Sequence, residues 1–431
     1  REHIISGFLL IILDFLKIVI INFRHKIYFV MPLYEGISIG DEPKVIVLDI
    51  GAAYTKCGLA GETGPRCIIP SKVTNARTGH VTKVWEYRSI GELFETLKDL
   101  LHTIIFRHLL VTPKDRRVVV VESLLCPSDF REALAKVLFK HYEVGSVLFA
   151  PSHLLSMLTI GSNIGLVMDV GYQETLVVPV YEGIPIMKGW QSIPFAGKAI
   201  ESRIKTQLME HGTICTPEQQ HQAVSSVSDT VTEDLLEDIK VRCCFVTEYT
   251  RGQQIQEVTM RGGHANKLPQ PPPDTEYSLD GGSVLSVTGR IREHSCEILF
   301  EQDNDEISIA TLMLESLIKC PIDTRQALAS NVLVIGGTAM LPGFYHRLQH
   351  ELSNLIKKPV YSQQLGIKKF KFHKAPAKEN YTAWLGGALI GALETLPSKS
   401  LSRDVYLQKG KLPDWCCIDS DYLLEDKPQK G

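Results

Sequence analysis

Three residues near the start of the chain, Asp49, Gly51 and Lys56, have types and spacing suited to holding a phosphate group. They lie in residues 45–61, VIVLDIGAAYTKCGLAG, a pattern that predicts a buried strand, a tight turn and a returning strand. The turn can approach a ligand closely because glycine has no Cβ, and its main-chain N–H groups and the lysine can attract an anion. Taken alone, the stretch is better explained as an ordinary buried hairpin with a surface lysine.

A second copy of the same strand–turn–strand pattern strengthens the case for a ligand-binding turn. Residues 165–183, GLVMDVGYQETLVVPVYEG, again run from an apolar segment through Asp169 and Gly171 into an alternating strand. Two copies of one strand–turn–strand unit, more than a hundred residues apart, suggest two similar domains. We expect their hairpins to face each other across a cleft, the usual place for a ligand.

The composition is that of an ordinary soluble globular protein and sets the scale of the fold. The 431 residues are 44% hydrophobic and 22% charged, enough for two sizeable lobes. The net charge of −3 gives no global basic field for nucleic acid or membrane. The ten cysteines include no Cys-x-x-Cys pair, so we expect no metal site and interpret them as reduced thiols of a cytosolic protein.

The first thirty residues need a separate interpretation. Residues 8–23 form an apolar run that could be a signal anchor or a membrane helix. Asp14 and Lys17 interrupt it, and both are costly at the centre of a bilayer. We interpret residues 1–30 as translated upstream sequence before Met31, exclude them from the fold, and expect no membrane span.

The order of predicted elements indicates an α/β fold with a mixed sheet in each lobe, because strands and helices alternate after the opening hairpin. We place the first lobe at residues 31–165 and the second at 166–400, with a C-terminal tail at 401–431. Residues 249–277, which contain three consecutive prolines and few large apolar residues, are predicted to be a loop insertion.

A third glycine turn makes a family resemblance visible. Gly336-Gly337-Thr338 follows another apolar strand, and the order of EDIKVRCCFV, CPIDTRQALASNVLVIGGTAMLPGF and YTAWLGGALI over residues 44–410 resembles the actin family. The resemblance implies two duplicated, ribonuclease H-like mixed-sheet domains around a central cleft that binds ATP or ADP. The residues that it places at the nucleotide, if binding is retained, are Asp49, Gly51, Lys56, Asp169, Gly171, Lys240, Gly336 and Gly337.

Departures from the family pattern remove the groups that hydrolysis needs. Tyr172 replaces a carboxylate, Ser152 a glutamine that positions water, and Leu176 a histidine. Phosphoryl transfer depends on positioning and electrostatics, so we expect no catalytic residues, no metal and no ATPase activity.

Nucleotide binding without hydrolysis stays open. Val241 and Asn380 stand where the family has a glutamate and a lysine beside the adenosine. An ATP or ADP bound in the cleft and an empty cleft are both compatible with the surviving glycines, since the hairpins must turn in either case.

A deletion bears on assembly. Residues 72–90 are far shorter than the corresponding part of actin, and the resemblance implies a truncated small subdomain without the loop that inserts into the next subunit. A head-to-tail filament grows only where both complementary patches are present. The resemblance therefore implies a subunit that ends a filament at its pointed end.

Within the family, several segments resemble the actin-related proteins of the dynactin pointed-end complex, among them MPLYEG, GETGPRCIIP, DRRVVVVES and LPDWC. This resemblance implies a non-catalytic subunit that caps the short actin-like filament of dynactin and supports dynein-driven transport on microtubules. Its implied partners are filament protomers and pointed-end subunits, in the cytoplasm and cytoskeleton. The alternatives are an actin-fold ATPase or sugar kinase and a nuclear actin-related subunit of a chromatin remodeller.

Overall fold

The computed structural model describes residues 44–74, 79–218, 220–260, 268–302 and 307–412. The interpretation of residues 1–30 lies outside these ranges, as does the tail beyond residue 412. Within the described ranges, no helix combines the length and the apolar character needed to cross a bilayer.

The described residues divide into two compact units, here called the first and second lobes. The first lobe contains residues 44–152 and 387–412, and the second contains residues 153–386. This division differs from the predicted one, since the chain enters the second lobe before residue 166 and returns to the first lobe before residue 401.

The strands are mostly short apolar runs, numbered here in chain order: β1 Ile46–Ile50, β2 Tyr54–Leu59, β3 Cys67–Pro70, β4 Lys72–Thr74, β5 Val81–Lys83, β6 Arg117–Glu122, β7 Ser146–Pro151, β8 Gly165–Val170, β9 Thr175–Tyr181, β10 Ile184–Pro185, β11 Gln191–Ile193, β12 Thr213–Cys215, β13 His221–Ala223, β14 Thr275–Ser278, β15 Val284–Val287, β16 Val332–Ile335, β17 Phe372–His373 and β18 Leu401–Ser402.

The helices in the described part of the chain are α1 Ile90–Thr103, α2 Ser128–Lys136, α3 Ser152–Thr159, α4 Gly197–His211, α5 Glu233–Cys243, α6 Tyr249–Met260, α7 Gly289–His294, α8 Ile309–Ile318, α9 Ile322–Ala329, α10 Phe344–Leu355, α11 Pro359–Leu365, α12 Thr382–Gly391, α13 Leu396–Lys399 and α14 Arg403–Lys409. Short π-helical turns extend α1 over Ile104–Leu109 and α2 over Val137–His141.

The first lobe is built on a sheet whose described strands run in the order β18-β7-β6-β1-β2-β3. β1 pairs antiparallel with β2 and parallel with β6, so the sheet is mixed. Leu93, Leu97 and Leu100 lie on one face of α1 at helical spacing and are at most 2% exposed. They join the strand residues in a single hydrophobic core.

The second lobe repeats this arrangement in its main sheet. The described strands run in the order β10-β9-β8-β16-β17, with β11 also on β9. β8 pairs antiparallel with β9 and parallel with β16, as β1 does with β2 and β6. The mixed sheets and their helices confirm the α/β prediction.

The two hairpins match position by position. Asp49 pairs across its hairpin with Lys56, and Asp169, which follows Asp49 by 120 residues, pairs with Leu176. The predicted repeat is therefore an observed structural repeat, in which a leucine of the second hairpin stands where the first hairpin has a lysine.

The loop predicted for residues 249–277 is wrong at both ends. Residues 249–260 form α6, and residues 275–278 form β14 in a small sheet with β15, β12 and β13. The sequence did not predict helix α6 because the helix has almost no apolar face: Ile255 is its main buried apolar side chain. It is instead held by charge, since the Arg251 guanidinium donates to the buried Glu293 carboxylate.

The predicted tail also needs correction, because its described residues 401–412 belong to the first lobe. Leu401 pairs with Val147, and the Arg403 guanidinium donates to the carbonyl oxygen of Phe139 at 3.1 Å. The Tyr406 ring stacks on Phe139 with ring centres 4.6 Å apart. Tertiary packing, which local sequence does not reveal, thus orders this short polar segment.

Candidate functional site

The turn of the first hairpin is closed around Gly51. The N–H of Gly51 donates to the carbonyl oxygen of Tyr54 at 3.1 Å, and a Cβ on residue 51 would lie only 2.8 Å from that oxygen. The carbonyl oxygen of Gly51 accepts from the Ser71 hydroxyl at 2.6 Å and from the Trp85 indole N–H at 3.0 Å. These bonds fix the turn to the chain that follows β3.

Lys56 and Asp49 form an ion pair inside the first hairpin. Their side chains are 15% and 16% exposed, and Lys56 Nζ lies 3.1 Å from Asp49 Oδ2. The pair follows from the β1–β2 register, which places the two residues directly opposite each other. The lysine that the sequence offered for a phosphate therefore already has a carboxylate beside it.

In the second lobe, the second and third glycine turns pack on each other. The Thr338 hydroxyl donates to the carbonyl oxygen of Gly171 at 2.6 Å. Gly336 has a φ of +98°, and a Cβ there would collide with the carbonyl oxygen of Val170 and lie 2.7 Å from Asp169 Oδ1. Only glycine fits this position. The structure thus brings together the predicted residues Asp169, Gly171 and Gly336.

A cluster that we call the tyrosine–glutamate–lysine cluster lies beside these turns and consists of Tyr172, Glu201 and Lys240. The Tyr172 hydroxyl donates to Glu201 Oε2 at 2.8 Å, and Lys240 Nζ lies 2.5 Å from Glu201 Oε1. Lys240 Nζ also lies 5.6 Å from the centre of the Tyr172 ring. The Glu201 and Lys240 side chains are 7% and 9% exposed. Within the second lobe, the cluster thus joins the buried, charge-balanced pair of Glu201 and Lys240 to the half-buried Tyr172.

Electrostatics favour the neutral phenol in this cluster. Burial raises the pKa of Tyr172, and the charge of Glu201 raises it further. The hydroxyl therefore keeps its proton and can donate it to Glu201. A tyrosine held in this way has neither the charge nor the lone-pair arrangement of the carboxylate that it replaces.

The resemblance predicts water-orienting groups at two further positions, Leu176 and Ser152. Leu176 is 4% exposed and lies opposite Asp169 in the β8–β9 ladder. Ser152, the first residue of α3, is 7% exposed. Neither side chain offers a group that could orient water over several ångströms, since leucine has no polar atom and serine is short.

Val241 and Asn380, which the resemblance places beside an adenosine, differ in exposure. Val241 is 62% exposed on α5. In the second lobe, Asn380 lies beside Gly337, with 3.9 Å between its Cβ and the position that a Cβ on Gly337 would take. Asn380 Oδ1 is buried without a hydrogen-bond partner among the described residues. Neither residue carries the charged group that the resemblance predicts at its position.

Several of the predicted phosphate donors already have partners within the protein. Each of the two candidate lysines, Lys56 and Lys240, forms an ion pair within its own lobe. The N–H groups of Gly51, Gly171 and Gly336 donate to carbonyl oxygens of Tyr54, Glu174 and Glu379. Phosphate oxygens would have to displace bonds that the protein already makes. Within the described ranges, no cluster of three or more His, Cys, Asp or Glu side chains is arranged to hold a metal ion.

The region predicted to be a truncated small subdomain is a two-stranded ribbon in its described part. β4 and β5 pair antiparallel, with three residues in each strand. Val84, just after β5, is fully buried, and the Trp85 ring stacks on Phe130 at 4.1 Å. The ribbon is therefore attached to the first lobe at its base.

Sequence reasoning missed Glu201 and Trp85. Glu201 lies on a helix with ordinary composition, 29 residues after Tyr172, and Trp85 lies in a stretch without clear period. A weak signal existed for Trp85, since a tryptophan in a short polar segment usually packs against something.

Comparisons with known proteins agree with this architecture. A sequence profile of the family described as Actin matches residues 40–415. The chain is 29% identical over 442 residues to Actin-related protein 10 of Dictyostelium discoideum, which covers 87% of this chain and 90% of the relative. It is 26% identical over 393 residues to Actin-like protein 7A of Mus musculus and of Rattus norvegicus, with 85% of this chain and 81% of each relative covered. Its matched length, paired glycine hairpins and mixed sheets establish that the chain belongs to the actin family.

Proposed function

We propose that this actin-related protein is a non-catalytic structural subunit that ends a filament at its pointed end. The observation that carries the proposal is the two-stranded ribbon of β4 and β5, which stands between β3 and α1 where actin has a small subdomain. Head-to-tail assembly needs two complementary patches on every internal subunit. A subunit with one patch reduced accepts one neighbour and stops growth.

The way the ribbon is attached supports this role. Val84 and Trp85 anchor its base, and the Ser71 hydroxyl ties its start to Gly51. The described strands of the ribbon have three residues each and are held at their base, so we infer that this part of the chain makes a smaller contact than the small subdomain of actin. A smaller surface of this kind suits contact with a different protein that covers the end of the filament.

The filament that we propose is the short actin-like filament of dynactin. The proposal rests on the segments that resemble dynactin's pointed-end actin-related proteins and on the similarity to Actin-related protein 10. Its partners would be the adjoining filament protomer and other pointed-end subunits, in the cytoplasm and on the cytoskeleton. Through them the protein would support dynein-driven cargo transport on microtubules.

We also propose that the protein turns over no ATP and binds ATP or ADP weakly. The proposal is supported by the family resemblance, which predicts a carboxylate at Tyr172 and water-orienting groups at Leu176 and Ser152, and by the contacts that engage Tyr172 with Glu201. Residual binding would use the residues Asp49, Gly51, Lys56, Asp169, Gly171, Lys240, Gly336 and Gly337. For a structural cap, a bound nucleotide is not required.

Sedimentation of the tagged full chain from cell extract, with mass spectrometry of its fraction, tests the assignment. We expect the chain in one large particle together with dynactin subunits. Recovery with chromatin-remodelling subunits would support the nuclear alternative and contradict the cap. A small species with steady ATP turnover would support the enzyme alternative and also contradict it.

A further inference from the structure

Two cysteines face each other across the β2–β3 pair of the first lobe. Cys57 on β2 lies directly opposite Cys67 on β3, and their sulfur atoms are 2.7 Å apart. Residues opposite each other in an antiparallel pair have Cα atoms about 4.5–5.5 Å apart. That range lies inside the Cα separation that a disulfide requires, and the short distance between the sulfur atoms shows that the two side chains already point toward each other.

We propose that Cys57 and Cys67 form a reversible oxidation site, at which a peroxide converts two thiols into a cross-strand disulfide. Both are free thiols in the structure. This inference rests on the pair alone and is independent of the role at the filament end.

The two thiols differ in the way that such a reaction needs. Cys57 is fully buried, whereas Cys67 is partly exposed on the edge strand of the sheet. The hydrogen bond with Cys57 lowers the pKa of Cys67, and it raises the pKa of Cys57 together with burial. Cys67 is therefore the accessible thiol with more thiolate character and reacts first with peroxide. Cys57 is the protected, resolving thiol, which attacks the oxidised Cys67.

The reaction balances with one equivalent of peroxide. The Cys67 thiolate attacks one oxygen of hydrogen peroxide, the O–O bond breaks, and the sulfur becomes a sulfenic acid while hydroxide leaves and takes a proton to become water. The Cys57 sulfur then attacks the sulfenic sulfur of Cys67. The S–O bond breaks, a second water leaves with the Cys57 proton, and the S–S bond forms. Two thiols are oxidised by two electrons, peroxide is reduced to two waters, and a small dithiol reverses the change.

A disulfide between Cys57 and Cys67 would affect the edge of the first-lobe sheet. β3 is the last described strand in the first-lobe order, and the chain passes from it through Ser71 into the ribbon. A cross-strand bond would hold this edge strand on β2, and we expect slower amide hydrogen exchange in residues 67–71 after oxidation.

Trypsin provides a direct test. It cleaves after Lys56 and Arg66 and so places the two cysteines in separate peptides, 57–66 and 67–72. The folded full chain is treated with hydrogen peroxide, alkylated and digested. We expect the two peptides to be joined, lighter by two hydrogen atoms than their sum, and released by reduction. Since folding holds the thiols together, joining should be at least about tenfold faster than in urea.

Two variants sharpen the result. In Cys67→Ser the joined peptide should vanish. In Cys57→Ser the reaction should stop at the sulfenic acid of Cys67, trapped by a 1,3-diketone reagent. Cys215→Ser is the matched control, because Cys215 is also partly exposed but lies opposite His221 and Val284 in its described strand pairs, and it should leave the joining unchanged. Both peptides recovered unjoined, over-oxidation of Cys67 without joining, or equal rates with and without urea would each overturn the proposal.

Discussion

The Tyr172 hydroxyl donates a 2.8 Å hydrogen bond to Glu201, the same carboxylate that forms the ion pair with Lys240. The family resemblance predicts a catalytic carboxylate at this position. In this chain Tyr172 instead joins a network of packing and charge balance within the second lobe.

Breaking this cluster should cost stability. Glu201→Gln leaves Lys240 buried without a counter-charge, and we expect the free energy of unfolding to fall by about 3 kcal/mol, because removing one partner of a buried ion pair strands the other. Urea denaturation followed by circular dichroism measures the change. The matched control is Arg242→Gln on α5, the helix that carries Lys240. The Arg242 side chain is 71% exposed and ion-paired with Asp238, so this change should cost no more than about 1 kcal/mol. Equal losses for both variants would show that the cluster is not a buried unit.

Restoring the missing carboxylate should not restore an enzyme. We expect no steady-state phosphate release from ATP by the natural chain or by Tyr172→Asp, because Leu176 and Ser152 still offer no group to orient water. A continuous phosphate assay with actin as the positive control measures this. Turnover by the natural chain would contradict the non-catalytic proposal.

Nucleotide affinity can be tested separately from turnover. If the dissociation constant exceeds about 1 mM, then 1 mM ATP stabilises the fold by less than about 0.4 kcal/mol, which is about 1 °C or less in Tm. We expect this small response to both ATP and ADP in a thermal melt with magnesium. A shift of several degrees would contradict the proposal of weak nucleotide binding.

Stability should fall as the pH falls below 6.5, in part because of His153. Burial lowers the pKa of His153 from 6.5 to about 3. Below pH 6.5 the unfolded state therefore binds a proton at this residue, whereas the folded state stays unprotonated there until about pH 3. From pH 7 to pH 5 this residue should remove about 2 kcal/mol of stability. Urea denaturation of the natural chain and His153→Gln across this range should show the difference between them shrinking by that amount. Burial also lowers the pKa of His294 and His373, so the variant should keep a weaker pH dependence. An unchanged slope would rule out His153 as its source.

The ribbon should loosen when its anchor is removed. Trp85→Ala removes the stack on Phe130 and the bond to Gly51, and we expect a loss of about 2 kcal/mol with faster amide exchange in residues 72–84. Trp85→Phe keeps a ring on Phe130 and loses only the indole N–H, so its loss should be about 1 kcal/mol. If the alanine variant exchanged at the natural rate, the ribbon would have another anchor.

Periodicity and glycine placement were sufficient to predict both hairpins, the mixed sheets and the third turn. They succeed there because a buried strand needs a continuous apolar run, and a close turn such as that at Gly336 needs glycine. They failed at α6, where Arg251 is held by charge and the helix has little apolar face. They also failed for residues 401–412, which are ordered by packing on Phe139.

The long-range partners of several predicted site residues could not be predicted from the sequence. Nothing local connects Glu201 to Tyr172 and Lys240, since the three residues meet only when helices α4 and α5 pack beside the second hairpin. The same holds for Trp85 and Gly51, which are 34 residues apart. Without these contacts the lysines of the sequence resemble free phosphate ligands, whereas in the folded lobes each has its own carboxylate.

The position of the chain in its filament distinguishes a pointed-end cap from an internal subunit. The tagged full chain is purified with its native assembly, marked with gold on the tag and examined by electron microscopy. We predict one gold particle on each short filament, always at the same end, and that end should be the pointed one when judged from the polarity of the actin-like protomers. Gold along the filament shaft, at both ends or at the barbed end would contradict the account.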